Sequence, residues 1–175
     1  MALLRIVLTL LLAIVTFPIR LLLGLFLGGR GNNVVVLPAD DPGMNAAKAQ
    51  AVATVAEFLR RLSAPGANVA SAAVKTALPV PGGTEHVWLS QIRCEGNEFV
   101  GVVDNNPYPD SGVRAGDERR VRQDAISDWK IVEGGHLVGG FTIRYFRDRM
   151  PARQRAALDA ALPFTIGPEP IPPMA

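Results

Sequence analysis

Between Leu3 and Gly29 the chain is almost wholly apolar, and only Arg5 and Arg20 interrupt it before Arg30 closes the run. A helix that spans a bilayer needs roughly 20 mostly apolar residues, so this stretch is expected to partition into lipid. Ile6 to Ile19 is uninterrupted but short, and Leu21 to Leu27 completes a span if Arg20 snorkels toward the headgroups. An arginine at the centre of a span costs roughly 2.5–3.5 kcal/mol. Arg20 lies off-centre, and the many leucines offset it. Pro18 can bend such a helix without preventing insertion. A cleaved signal peptide fits less well, because no A-x-A-like site comes after the apolar core. An interfacial helix also fits less well, because the segment has almost no polar face. The expectation is an uncleaved anchor over residues 1–30, with the membrane as partner through residues 3–29. Arginines on both sides leave its orientation open.

Beyond Arg30 the chain is long enough for one domain with a real core. Without Arg5, Arg20 and Arg30, 15 basic residues face 16 acidic ones, so the pI of about 9.0 does not describe the domain. Nucleic acid, which is held through surplus positive charge, is disfavoured as a partner. Residues 111–155 nevertheless carry 10 basic and 6 acidic groups, against 5 and 8 in residues 31–110. Cys94 is the single cysteine, so no intrachain disulfide can form. With His86 and His136 it makes a poor zinc set, and neither metal nor cofactor is expected.

Residues 31–43 read as a tether. Asp41 is placed to cap a helix that opens on Pro42 and runs to about Leu62. Ala49, Val52, Val55, Ala56, Leu59 and Leu62 form its apolar stripe, and Lys48, Glu57, Arg60 and Arg61 fall largely off it. The period then changes. Strands are expected over 70–78, 86–92, 98–104 and 118–122, with a hairpin joining the second and third. Asp124 is placed to cap a helical turn over 125–129. Strands over 130–133 and 136–146 flank Gly134-Gly135, a hairpin signal, and Gly139-Gly140 marks a bulge or a close backbone approach. Helical spacing returns over 151–162, and residues 163–175 form a proline-rich tail, extended or disordered. The fold class is α+β. A compact domain over residues 44–162 carries a bent, mainly antiparallel sheet, with a packed helix before it and a short helix after it. Short strands at this spacing can also curl into a partly open barrel.

The order of motifs resembles the YegJ-like bacterial family, a domain of unknown function (DUF2314), over about residues 40–148. The resemblance rests on Glu85-His86-x-Trp88, on Asn105-Asn106-Pro107 and on the Gly116-Asp117 turn. It rests further on the run Ile126 to Trp129 and on Gly139, Gly140, Thr142 and Arg144 in G-G-x-T-x-R. It implies a fold and a bacterial origin, and brings no activity, cofactor or catalytic residue. The chain departs from the family pattern at Glu118-Arg119-Arg120, where an apolar strand residue is more usual.

Six residues make a candidate polar pocket: His86, Trp88, Asp104, Asn105, Asp128 and Trp129. His86 and Trp88 share a strand face, and a histidine–aspartate pair within hydrogen-bond reach can act as a general base. The plainer alternative makes Trp88 core filling and Asp128 a binder of turn amides, with Trp129 anchoring that turn. No G-x-S-x-G elbow surrounds Ser127 or Ser90, and neither glycine pair opens a helix as a phosphate cradle does. No catalytic set is assembled. The expected function is therefore a non-catalytic binding or interaction module at the bacterial inner membrane. It is single-pass, with the periplasmic side preferred, and meets a protein or envelope partner through the sheet face or the loop 105–112. Two alternatives remain: a hydrolase using His86 and an aspartate, and a binder of anionic lipid or nucleic acid through the basic region 114–155.

Overall fold

The computed structural model describes residues 41–64, 68–80, 83–105, 107 and 111–171. The expected membrane helix, nearly all of the tether and part of the loop 105–112 lie outside the described residues. Among the described residues no helix is long and apolar enough to cross a membrane.

Helix α1 spans Pro42–Ala53, and Asp41 caps it as expected, accepting the Met44 amide at 2.7 Å. The helix does not continue unbroken to Leu62. Thr54 turns its hydroxyl back onto the Gln50 carbonyl at 2.7 Å, and α2 restarts over Val55–Leu62. Hydroxyls that bond back in this way bend helices. The break shifts the helical phase, so Phe58 and Arg61 become buried. Arg61, expected off the apolar stripe, is 1% exposed and joins Glu57 (2.6 Å) to Glu133 (2.5 Å).

Six strands come next: β1 Val69–Val80, β2 Gly83–Glu95, β3 Glu98–Val103, β4 Glu118–Arg122, β5 Ile126–Glu133 and β6 His136–Gly139. They form one antiparallel sheet in the order β4-β3-β2-β1-β5-β6. The sheet is open rather than a barrel, with β4 and β6 at its edges. Register shifts interrupt β1–β5 and β2–β3, and Gln91 adopts a left-handed conformation within the second. The charged run Glu118-Arg119-Arg120 is intelligible at an edge, where charge discourages pairing with another chain. Arg120 meets Glu95 at 2.6 Å, and Arg93 meets Glu118 at 2.8 Å.

Two expectations fail next to each other. Residues 125–129 are not a helical turn: a single 3-10 turn covers Gln123–Ala125, and β5 begins at Ile126. This strand is buried along nearly its whole length, so its residues show no alternation to read. Residues 140–146 are not a strand either. β6 stops at Gly139, and α3 covers Phe141–Arg149. Gly139 and Gly140 both take left-handed angles, and a Cβ on Gly139 would lie 2.6 Å from Trp129. β-branched and aromatic residues make this segment look like a strand. Capping by Asp128, a residue distant in sequence, makes it a helix.

Helix α4 spans Ala152–Ala161, so among the described residues four helices accompany the sheet in an α+β domain. One sheet face carries Val74, Val87, Leu89, Trp129 and Ile131 into a core shared with Ala51 and Phe58. Phe58 packs on Phe99 and on Trp129, each at 5.4 Å between ring centroids, and Trp129 packs on Phe141 at 5.8 Å. Such pairs add about 0.5–1.5 kcal/mol each beyond their burial. The tail is pinned through residue 171. Phe164 packs on Val132 and Leu137, Thr165 bridges His136, and Arg144 donates to the Leu137, Gly139 and Gly167 carbonyls.

Candidate functional site

Strand alternation sends the other sheet face a different set of side chains. Register places Lys75 opposite Trp88 on one side and opposite Asp128 on the other, so these three form a row across β2, β1 and β5. His86 lies two residues from Trp88 on the same face, and Lys130 lies two residues from Asp128. The face therefore collects two lysines, an aspartate, a histidine and an indole.

The two ammonium groups share one aromatic ring. Lys130 Nζ lies 4.6 Å from the Trp88 ring centroid and Lys75 Nζ lies 5.6 Å from it. A desolvated cation over an indole gains about 2 kcal/mol or more, which partly offsets removing two charges from water. Trp88 and Lys130 are 4% and 8% exposed, whereas Lys75 and His86 are half-buried. Lys75 and His86 are thus more exposed than the Trp88 and Lys130 side chains beside them. Burial holds both lysines below the ordinary lysine range; attraction to Asp128 opposes this for Lys75, and attraction to Asp104 and Asp128 does so for Lys130.

Asp128 is fully buried and its carboxylate is committed. It accepts the amides of Trp129 (2.8 Å), Phe141 (3.1 Å) and Thr142 (2.9 Å), and the Thr142 hydroxyl at 2.6 Å. Phe141 and Thr142 open α3, where amides lack partners within the helix, so Asp128 caps that helix from β5. Burial pushes its carboxyl above the usual range despite these bonds. Lys75 Nζ reaches the same Thr142 hydroxyl at 3.4 Å.

His86 Nδ1 meets Ser127 Oγ at 2.9 Å. The expected histidine–aspartate pair is thus replaced by a histidine–serine pair. Burial, followed by repulsion from Lys75 and Lys48, lowers the imidazole to about 4. At the far end of the row, Asn105 Oδ1 accepts the Trp88 amide at 2.8 Å and the Asp104 amide donates to the Trp88 carbonyl at 2.9 Å. These bonds hold the strand beneath the indole.

Of the six residues expected in a pocket, His86, Trp88, Asp104, Asn105 and Asp128 cluster around this face. Trp129 does not. It points into the helix-covered core, where its indole N–H donates to the Ala51 carbonyl at 3.1 Å. Lys75, Lys130, Ser127 and Thr142 belong to the cluster but escape a reading by sequence. The available signal was a lone lysine inside each of two apolar strands, V-K-T and W-K-I. Their convergence needed the register. Among the described residues no group of three or more His, Cys, Asp or Glu side chains could hold a metal ion.

Residues 41–165 match the model of a family described as an uncharacterized protein conserved in bacteria (DUF2314). The chain belongs to this family. The DUF2314 match opens at the Asp41 helix cap and closes at the Thr165 bridge to β6, so it encloses the whole cluster; the apolar stretch lies outside it. The uncharacterized protein YegJ of Escherichia coli K12 is 33% identical over 90 residues, covering 51% of this chain and 59% of that protein. A Neisseria meningitidis serogroup B protein, named as a putative ankyrin repeat protein, is 37% identical over 83 residues, covering 47% of this chain and 33% of its own length. The aligned parts thus span less than two thirds of either relative. No solved structure matches.

Proposed function

We propose that this DUF2314 protein is a membrane-tethered, non-catalytic binding module. Its ligand group is an anion, a carboxylate or phosphate displayed by a protein or envelope component, received against Trp88 between Lys75 and Lys130. The observation that carries this reading is the pair of ammonium groups over one indole, with half-buried Lys75 and His86 beside it. An anion there would add to the attraction that Asp128 gives both lysines and Asp104 gives Lys130. The carboxylate of Asp128 is spent on capping α3, which argues for a positioning part in the site rather than a chemical one. The tether is supported by the apolar stretch from Leu3 to Gly29, placed in a bacterial inner membrane with the domain on the periplasmic side.

The test is thermal unfolding of the full chain with inorganic phosphate and with short peptides ending in a free carboxylate. A ligand at 100 times its Kd stabilises by about 2.7 kcal/mol. A rise in Tm that vanishes in the double variant K75M/K130M supports the reading, and no rise with any probe removes it. A compartment-sensitive reporter after Ala175 tests the side of the membrane.

One observation favours a second reading. The contact between His86 and Ser127 resembles a base and a nucleophile within reach. Ser127 is only 6% exposed, however, and among the described residues no carboxylate bonds the His86 ring. A hydrolase reading requires that His86→Ala abolish turnover of an ester probe while Tm at neutral pH stays unchanged.

A further inference from the structure

The two edges of the sheet are closed in different ways. The β4 edge carries Glu118, Arg119, Arg120 and Arg122, and charge keeps such an edge from pairing with another chain. The β6 edge reads His136-Leu137-Val138-Gly139 and holds no Lys, Arg, Asp, Glu or Pro. Its cover comes instead from the segment that follows α4.

In an antiparallel ladder every second residue turns its N–H and C=O away from the neighbouring strand. On β6 those residues are Leu137 and Gly139, and all four of their groups have partners. The Leu137 amide donates to the Thr165 carbonyl at 2.8 Å, and the Gly139 amide donates to the Pro170 carbonyl at 2.6 Å. Half-buried Arg144 donates to the Leu137 carbonyl at 2.7 Å and to the Gly139 carbonyl at 2.8 Å. Its third bond, 2.6 Å to the Gly167 carbonyl, ties the covering segment to the edge. At the turn before β6, the Gly135 carbonyl accepts the Thr165 amide at 2.9 Å. Phe164 anchors the segment on Val132 and Leu137, and Ile171 packs against the main core. Residues 164–171 therefore lie along the edge as a strap, with Arg144 as its clasp. Pro168 and Pro170 have no N–H, so the strap ends the sheet rather than offering a fresh edge.

We infer that the β6 edge is a self-association surface held shut by this strap, and that its occupant once open is β6 of a second copy of the chain. The edge is complementary to itself. With a two-fold axis at Val138, Leu137 of one copy exchanges both bonds with Gly139 of the other, and Gly139 with Leu137, so every outward group finds a partner. The strap and the second copy compete for the same four groups. Pairing therefore requires the strap to leave first, and Arg144 to release the two carbonyls.

The experiment reads the number of copies per particle by sedimentation equilibrium in neutral detergent, together with amide exchange at Leu137 and Gly139. Three chains are compared: the parent, full-length Phe164→Ala/Arg144→Gln, and Arg144→Gln ending at Pro163. The parent is expected to keep both amides slow at every concentration. In both variants the two amides should exchange fast when dilute. As concentration rises, the protein mass per particle should double and both amides should slow together. The near-ultraviolet signal of Trp129 reports the fold, and the full-length variant decides the outcome if the shortened chain loses it. Amides that stay fast while each particle holds one copy overturn the inference. A doubling that leaves Leu137 and Gly139 fast places the contact elsewhere and also overturns it. Variants whose two amides remain slow when dilute show that the strap does not close the edge, with the same result.

Discussion

The carboxylate of Asp128 holds both the amide (2.9 Å) and the hydroxyl (2.6 Å) of Thr142, so a residue of β5 caps the helix after β6. One residue thereby decides that Phe141–Arg149 is helix, and it also sets the Thr142 hydroxyl beside Lys75. Asp128→Ala leaves these buried donors without a partner, and lysine charge without a counter-charge. We expect a loss of about 3–5 kcal/mol in urea unfolding, and about 1 kcal/mol for Thr142→Val. Equal stability of Asp128→Ala and the parent would dismiss the capping role.

Gly139 marks the exit from β6. Its positive φ and the 2.6 Å approach to Trp129 both exclude a side chain. Gly139→Ala should lose about 2–4 kcal/mol, combining backbone strain with an overfilled contact. Near-ultraviolet circular dichroism should report the disturbed indole. A variant of unchanged Tm would show that Trp129 yields easily.

His86 gives the fold a dependence on acidity. Its imidazole is lowered to about 4 from 6.5, first by burial and then by Lys75 and Lys48. Below pH 6.5 the unfolded chain takes up a proton that the folded chain refuses. This contribution to stability is complete above pH 6.5 and is lost as pH falls toward about 4. His86→Gln should flatten the dependence of Tm on pH within that window. A profile identical to the parent would place the acid sensitivity elsewhere.

Much of the framework was legible because it depends on neighbours in sequence. Asp41 and Pro42 announce α1, and Gly134-Gly135 announces the turn from β5 to β6. The first four strands lie close to their expected bounds. The rest depends on partners far along the chain. Asp128 caps a helix 13 residues later, Arg61 is buried because Thr54 resets the helical phase, and β5 is covered on both faces. The site obeys the same rule. His86 and Trp88 share a face through a spacing of two, which sequence displays. Lys75 and Lys130 come from different strands, and only the β1–β2 and β1–β5 registers bring them to the same indole.

A lysine kept for binding differs from one kept for folding. Lys130 is 8% exposed and held below the ordinary lysine range by burial. Asp104 and Asp128 attract it, and removing one partner of a buried pair costs about 3–5 kcal/mol. Lys130→Met should therefore lower Tm as well as weaken any anion bound at Trp88. An unchanged Tm would show that Lys130 contributes nothing to the fold.

The chain contains two tryptophans, one on each sheet face, so two indole N–H resonances separate the proposed site from the core. Assignment comes from Trp88→Phe. The decisive measurement is titration of the isotope-labelled full chain with inorganic phosphate and with a carboxylate-ended dipeptide. The proposal expects the Trp88 resonance to move saturably with at least one probe while Trp129 stays still, and expects no movement in K75M/K130M. Titrations that leave Trp88 unmoved, or that move it equally in K75M/K130M, would contradict an anion site on this face.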